Sequence, residues 1–119
     1  DIKILCGVDT LALEELALGA DGWVAGLVDA FPRETVVIYE LVKQNRIKEA
    51  TEIYRWFMPL LELDIHPKLV QNIKLAEVAT GIGTETVRPP RLPLVGEERN
   101  QVQKIIDDAL ASRLEMPKL

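Results

Sequence analysis

The sequence predicts an α/β chain, mostly α by residue count, in which two parallel strands complete a larger barrel or sheet and a run of helices follows. Three observations lead there. Residues 2–7 form an apolar, partly β-branched run, and residues 22–26 form a second. One amphipathic helix separates them, and strands joined through a helix lie parallel with a right-handed crossover. Beyond residue 26 the apolar side chains recur at helical spacing only. Two strands alone bury little and leave two bare edges. The rest of the sheet is therefore expected from residues N-terminal to this chain, and Asp1, leading straight into a strand, fits a fragment or a processed chain.

Ile2, Ile4 and Leu5 read as a strand covered on both faces, as parallel strands usually are. Asp9 or Thr10 then caps a helix with Leu11, Leu13, Leu16, Ala17 and Leu18 largely on one side. Gly19 ends it as a left-handed C-cap. After the second strand, Pro32 suits a helix N-terminus. Val36, Val37, Ile38, Tyr39, Leu41 and Val42 make the following helix apolar over a wide arc, and Asn45-Arg46 breaks it. The cleanest stripe in the chain comes next: Ile47, Ala50, Ile53, Tyr54, Phe57, Leu60 and Leu61, interrupted by Pro59, which removes one backbone bond. A turn at residues 64–67 precedes a short helix marked by Leu69, Ile73, Ala76 and Thr80, closed by Gly81 and Gly83. Residues 86–94 hold Pro89, Pro90 and Pro93, so they form an extended strap. A last helix runs from about Gly96 to Ser112 with Val102, Ile105, Ile106, Ala109 and Leu110 inward, and residues from Glu115 onward are expected to fray.

Composition narrows the function. Hydrophobic residues make up 48% and charged residues 28%, as in a soluble globular domain. The net charge is −5 with both signs interspersed, so neither nucleic acid nor an anionic membrane is an expected partner. The basic cluster Lys43, Arg46 and Lys48 reads as a solvated corner at a helix end. A single cysteine, Cys6, excludes an internal disulfide and fits a reducing, cytoplasmic setting. No run reaches the ~20 apolar residues of a membrane span.

Several segments resemble the dihydrodipicolinate synthase and N-acetylneuraminate lyase family. Ile4-Leu5-Cys6-Gly7-Val8-Asp9 is similar to its strand-seven "LSGDD" region, and residues 18–26 to its strand-eight "LGGxGVISV". Phe31-Pro32 resembles "NxxP", and residues 48–60 resemble the helix "AxxIxxxLMPL". Ile73-Lys74, Gly81, Arg88 and Pro93-Leu94 resemble "IKxALxxxGxxxxxxRxPL". The match is collinear over nearly the whole chain.

The resemblance implies the C-terminal portion of a (β/α)8 TIM barrel. Residues 1–46 would be the last two βα units and residues 47–119 a C-terminal helical extension. It also implies a class I lyase or aldolase that holds pyruvate or a related 2-oxo acid as a Schiff base on a lysine, in a homotetramer. That lysine belongs to barrel strand six, with a tyrosine on strand five assisting proton transfer, both upstream of Asp1. Lys3 sits too early in strand seven to be the nucleophile. The chain itself would then carry no catalytic residue and need no cofactor. Barrel sites form at the C-terminal strand ends, which makes Gly7, Val8, Asp9, Val24 and Gly26 the candidate substrate-binding residues. Val24 would wall off the imine. Val8 replaces the first Asp of "GDD", Trp23 is bulky, and Gly26 is expected to widen the pocket floor, implying a different substrate tail.

Other residues carry simpler readings. Cys6 reads as a small buried hydrophobe rather than a reactive thiol. His66 lacks companions for a metal site. Asp9 either orients substrate or caps the next helix; Asp29 either lines the pocket or caps the helix begun at Pro32. Glu14-Glu15 and Asp107-Asp108 point apart on their helices and form no acid/base dyad. Trp56 lies opposite the core stripe as a candidate interface residue. A second functional reading is a non-catalytic helical interaction fragment, with the stripes 47–61 and 102–110 as its interface.

Overall fold

Leu5–Cys6 (β1) and Gly22–Trp23 (β2) pair in parallel, Leu5 beside Gly22 and Cys6 beside Trp23, in a computed structural model that describes all 119 residues. The Asp21 N–H donates to Ile4 C=O at 2.7 Å and the Val24 N–H to Cys6 C=O at 2.9 Å, framing the ladder. The Leu5 side chain crosses Gly22, with its terminal methyl 2.9 Å from where a Cβ on Gly22 would stand. The strands are shorter than the runs 2–7 and 22–26. The Ile4 N–H is taken by the Asp21 carboxylate, which Lys3 also engages, and the chain after Val24 curls into a 3₁₀ turn, Leu27–Asp29. The β1 run is also not covered on both faces: Cys6 is buried against the helices, while Ile2, Ile4 and Leu5 are exposed. One side of this small sheet faces nothing.

A 3₁₀ turn, Asp9–Leu11, leads into α1, Ala12–Ala17. Its inward face is Ala12 and Leu16, with Ala20 after it; Leu11, Ala17 and Leu18 are exposed, against the expectation from spacing. The helix has only six residues, under two turns, so it offers the strands and the helices that follow one narrow face and leaves the rest of a five-residue stripe outside. Gly19 has positive φ, as a left-handed stop requires. No Asp9 or Thr10 side chain caps either segment.

Helix α2, Pro32–Lys43, has Pro32 in its first turn and buries Val37, Ile38, Leu41 and Val42, but Val36 is exposed. Asn45 takes a left-handed φ of 59° and turns the chain into α3, Ile47–Leu61. The stripe of α3 is buried as its spacing predicts, with Ile47 half-buried. Pro59 falls near the C-terminal end, where α3 passes into a 3₁₀ turn, Glu62–Ile65, so its missing N–H costs little mid-helix structure. Helix α4, Leu69–Thr80, ends at Gly81 in the left-handed region. The proline-bearing strap follows without regular structure and turns at Pro89-Pro90, where the Arg91 N–H donates to Arg88 C=O at 3.1 Å; it is anchored by buried Leu94 and by Gln71 Nε2 donating to Leu92 C=O at 3.1 Å. Helix α5, Gly96–Ala111, buries Val102, Ile106 and Ala109, with Ile105 and Leu110 half-buried.

Helix α3 is the hub, packed on α2 and α5, while α4 packs on α5. One continuous core of 25 buried apolar residues runs from Cys6 to Ala109. At its centre Phe57 meets Phe31 edge-to-face at 5.6 Å and stacks on Trp56 at 5.5 Å. Trp56 is therefore not a free interface residue: it is half-buried and its Nε1 donates to Ala109 C=O at 3.2 Å. The stripes on α3 and α5 are likewise buried within this chain, which removes the faces that an interaction-fragment reading required. The tail beyond Ser112 is also docked rather than frayed. Arg113 pairs with Glu34, Met116 packs against the core, and Arg46 donates to Lys118 C=O at 2.8 Å. The result is a slab of 43 × 34 × 20 Å.

Candidate functional site at the strand ends

Parallel pairing puts the C-terminal ends of β1 and β2 on one rim. Gly7 and Val8 follow β1, Val24 follows β2, and all three are exposed. Space beside Gly7 is open, since an added Cβ there would meet nothing within 4 Å.

Beneath this rim lies Asp9, fully buried and without a cationic partner. Its Oδ1 accepts from Trp23 Nε1 at 3.0 Å and from the Gly26 N–H at 3.2 Å; Oδ2 accepts from the Leu27 N–H at 2.9 Å. Burying a carboxylate costs several kcal/mol, of order, unless its lone pairs are satisfied, and three N–H donors do that here. Asp9 thus caps a helix other than the one expected. It satisfies the free N–H groups opening the 3₁₀ turn Leu27–Asp29, eighteen residues away from it along the chain. The Tyr54 hydroxyl of α3 donates to the Asp9 C=O at 2.7 Å and fixes it from behind.

Gly26 does not widen a pocket floor. The Asp64 carboxylate, from the turn after α3, occupies the space where a Cβ on Gly26 would stand. Burial first, and then the charges of Asp9 and Asp29, push the Asp64 carboxyl above its usual range. Asp29 is exposed in the 3₁₀ turn and makes no capping bond to α2. Cys6 is buried with its thiol donating to Gly22 C=O at 3.1 Å. Burial, then the charge of Glu15, push that thiol up, so a thiolate nucleophile is disfavoured. His66 accepts the Lys68 N–H on Nδ1, and no group of three or more His, Cys, Asp or Glu is placed to hold a metal ion.

Tyr54 was hidden in the sequence among packing residues. Its spacing gave only the core stripe; the sole hint was that a buried tyrosine seeks a partner for its hydroxyl. Burial, reinforced by the charge of Glu14, pushes its phenol up to about 12. A phenol with a raised folded-state value contributes stability that is fully present below its unfolded value, near pH 10, and that is lost as pH rises through about 12. Absorbance titration is expected to show one phenol ionising near pH 12, absent in Tyr54→Phe, with alkaline unfolding setting in between these limits. Ionisation of the Tyr54 phenol near pH 10 would contradict this placement.

Comparison with known proteins now decides the family. The model of the dihydrodipicolinate synthetase family matches residues 1–109. The chain belongs to that family. It is similar to an uncharacterised DapA-like lyase of Pyrobaculum islandicum, 30% identical over 116 residues, covering 90% of this chain and 38% of the relative. It is also similar to the 4-hydroxy-tetrahydrodipicolinate synthase of Pelodictyon phaeoclathratiforme, 28% identical, covering 92% of this chain and 36% of that enzyme. Among solved structures, a variant of the Sulfolobus solfataricus 2-keto-3-deoxygluconate aldolase in complex with L-2-keto, 3-deoxy-galactonate superposes with a TM-score of 0.78 at 25% identity, over 91% of this chain and 37% of the aldolase. The chain therefore spans under two-fifths of the length of the family members it matches. Its fold is the C-terminal portion of a TIM barrel, two parallel strands with their helices, followed by further helices. The family members it resembles are lyases, and no helix here is long and apolar enough to cross a membrane.

Proposed function

We propose that this chain supplies the closing part of a class I lyase that forms a Schiff base with pyruvate or a related 2-oxo acid. Residues 1–46 form the last two βα units of the barrel and residues 47–119 its helical extension. The nucleophilic lysine lies in residues preceding Asp1. Its amine attacks the keto carbon and expels water, and the iminium then accepts the electron pair released when a carbon–carbon bond breaks. Gly7, Val8 and Val24 border the bound 2-oxo acid, with Asp9 and Gly26 shaping the turn beneath it. The carrying observation is the rim itself: exposed Gly7, Val8 and Val24 at the C-terminal ends of two strands whose other side is uncovered. In a TIM barrel that end is where sites form.

The lysines support the same division of labour. None of the seven is buried, as a desolvated imine-forming lysine would be. Lys3, Lys68, Lys74 and Lys104 are held in ion pairs, and Lys43 donates to Ala20 C=O. An apolar cleft of about 250 Å³ along the free side of β2 and α2, lined by Trp23, Ala25, Val28, Val36 and Tyr39, suits the neighbouring strand–helix unit of a closed barrel. Exposed Ile65, Leu69, Leu92 and Val95 on the extension suit a neighbouring subunit in a homotetramer. A cytoplasmic enzyme agrees with the single, buried thiol.

Borohydride reduction in the presence of pyruvate tests this reading. One lysine of the full-length protein is expected to gain the reduced pyruvyl adduct, and peptide mapping should place it outside residues 1–119. This chain alone should stay unlabelled. An adduct on a lysine within these residues, or none on the full-length protein, would overturn the proposal.

A further inference from the structure

We propose that Tyr54 and Asp9 are positioning residues, a buried relay through which the helical extension sets the backbone of residues 24–26 at the substrate rim. The inference rests on the proposed function for what that rim binds. The relay itself is geometric. Tyr54 of α3 donates to the Asp9 C=O at 2.7 Å, in a fully buried contact across 45 residues of sequence. The Asp9 carboxylate then spreads over three donors, Trp23 Nε1, Gly26 N–H and Leu27 N–H.

The turn has few other anchors. Val24 bonds to Cys6 C=O, which ends the ladder. The next two hydrogen-bonded N–H groups, those of Gly26 and Leu27, both go to Asp9. Asp64, also from the extension side, fills the space beside Gly26 and blocks collapse of the turn in that direction. The backbone that follows exposed Val24 is therefore held from below, by a carboxylate that substrate cannot reach, since Asp9 has no exposed surface. A direct role for Asp9 in holding substrate is replaced by an indirect one, and Tyr54 gives the extension a part in the reaction beyond packing.

The test uses the full-length enzyme with ¹⁵N-labelled tryptophan. Trp23 and Trp56 each give an indole N–H resonance, assigned by its loss in Trp23→Phe and in Trp56→Phe. Tyr54→Phe keeps the ring and removes the bond to Asp9. It is expected to shift the Trp23 resonance, leave that of Trp56 in place, and lower kcat/KM about 10-fold, with the loss mainly in kcat. Asp9→Asn puts an N–H donor where a lone pair stood and is expected to cost about 100-fold, the scale at which a displacement of about 1 Å is felt. If Asp9→Asn does not fold, Tyr54→Phe decides. An unmoved Trp23 resonance in Tyr54→Phe, or a shifted one with wild-type kcat and KM, overturns the relay. Absence of a borohydride adduct on the unsubstituted enzyme would fell the proposed chemistry alone; the indole resonances would still report on the relay.

Discussion

Phe57→Ala is expected to lower the stability of the protein by about 3–5 kcal/mol, the range for truncating a fully buried phenylalanine. Phe57 has no exposed surface, and its helix α3 packs on both α2 and α5. It contacts Phe31 edge-to-face at 5.6 Å and stacks on Trp56 with the rings 8° from parallel. Such aromatic pairs contribute about 0.5–1.5 kcal/mol each beyond buried area. Trp56 is further tied to Ala109 of α5, so it cannot swing into the void without breaking that bond. Chemical denaturation of Phe57→Ala against the parent reads the effect. A loss below about 1 kcal/mol would mean that the void collapses and that this aromatic cluster is not the centre of the core.

Arg113→Ala is the second large effect, expected at about 3 kcal/mol, the lower end of the range for stripping a buried charge of its partner. The Glu34 side chain is 1% exposed and its Oε1 accepts from Arg113 Nε at 2.6 Å. Its Oε2 has no partner, so Arg113 is the group that compensates this charge. Arg113 is 42% exposed, and solvent screening there holds the expected loss to the lower end. The guanidinium also lies over the Phe31 ring at 5.6 Å, joining the tail beyond α5 to the start of α2. Glu34→Leu combined with Arg113→Met is expected to recover most of the loss, because an apolar pair needs no desolvation of charge. Denaturation midpoints of the single and double variants separate the two outcomes. A double variant as unstable as Arg113→Ala would show that the tail, not the ion pair, carries the stability.

Much of this architecture was legible from residue order. The α3 stripe was read correctly because one face of a long helix buries regardless of what lies far away. Gly19, Pro32, Asn45 and Gly81 marked element ends because their backbone preferences are local. The motif segments at residues 4–9, 18–26, 48–60 and 73–94 resembled the family that residues 1–109 match. Misreadings fell where a second element was needed. Leu11 and Leu18 look inward by spacing but are exposed, and so is Val36. Buried Glu34, Gln71, Asn72 and Glu77 were invisible, since a polar residue reads as exposed until its partner is known.

The rim showed the same division. Gly7, Val8 and Val24 were placed at strand ends by counting along the chain, and they are exposed there. That Asp9 is buried beneath them, that Asp64 fills the space at Gly26, and that Tyr54 reaches back from α3 depended on contacts across 18 to 45 residues.

The sequence by itself determined the helix faces, the turn positions and the parallel order of the two strands, because periodicity and backbone preference act over a few residues. Only the tertiary structure decided what each polar group near the strand ends does. A carboxylate can bind a ligand, cap its own helix or cap another, and the free energy of burial selects among these only once its donors are fixed in space.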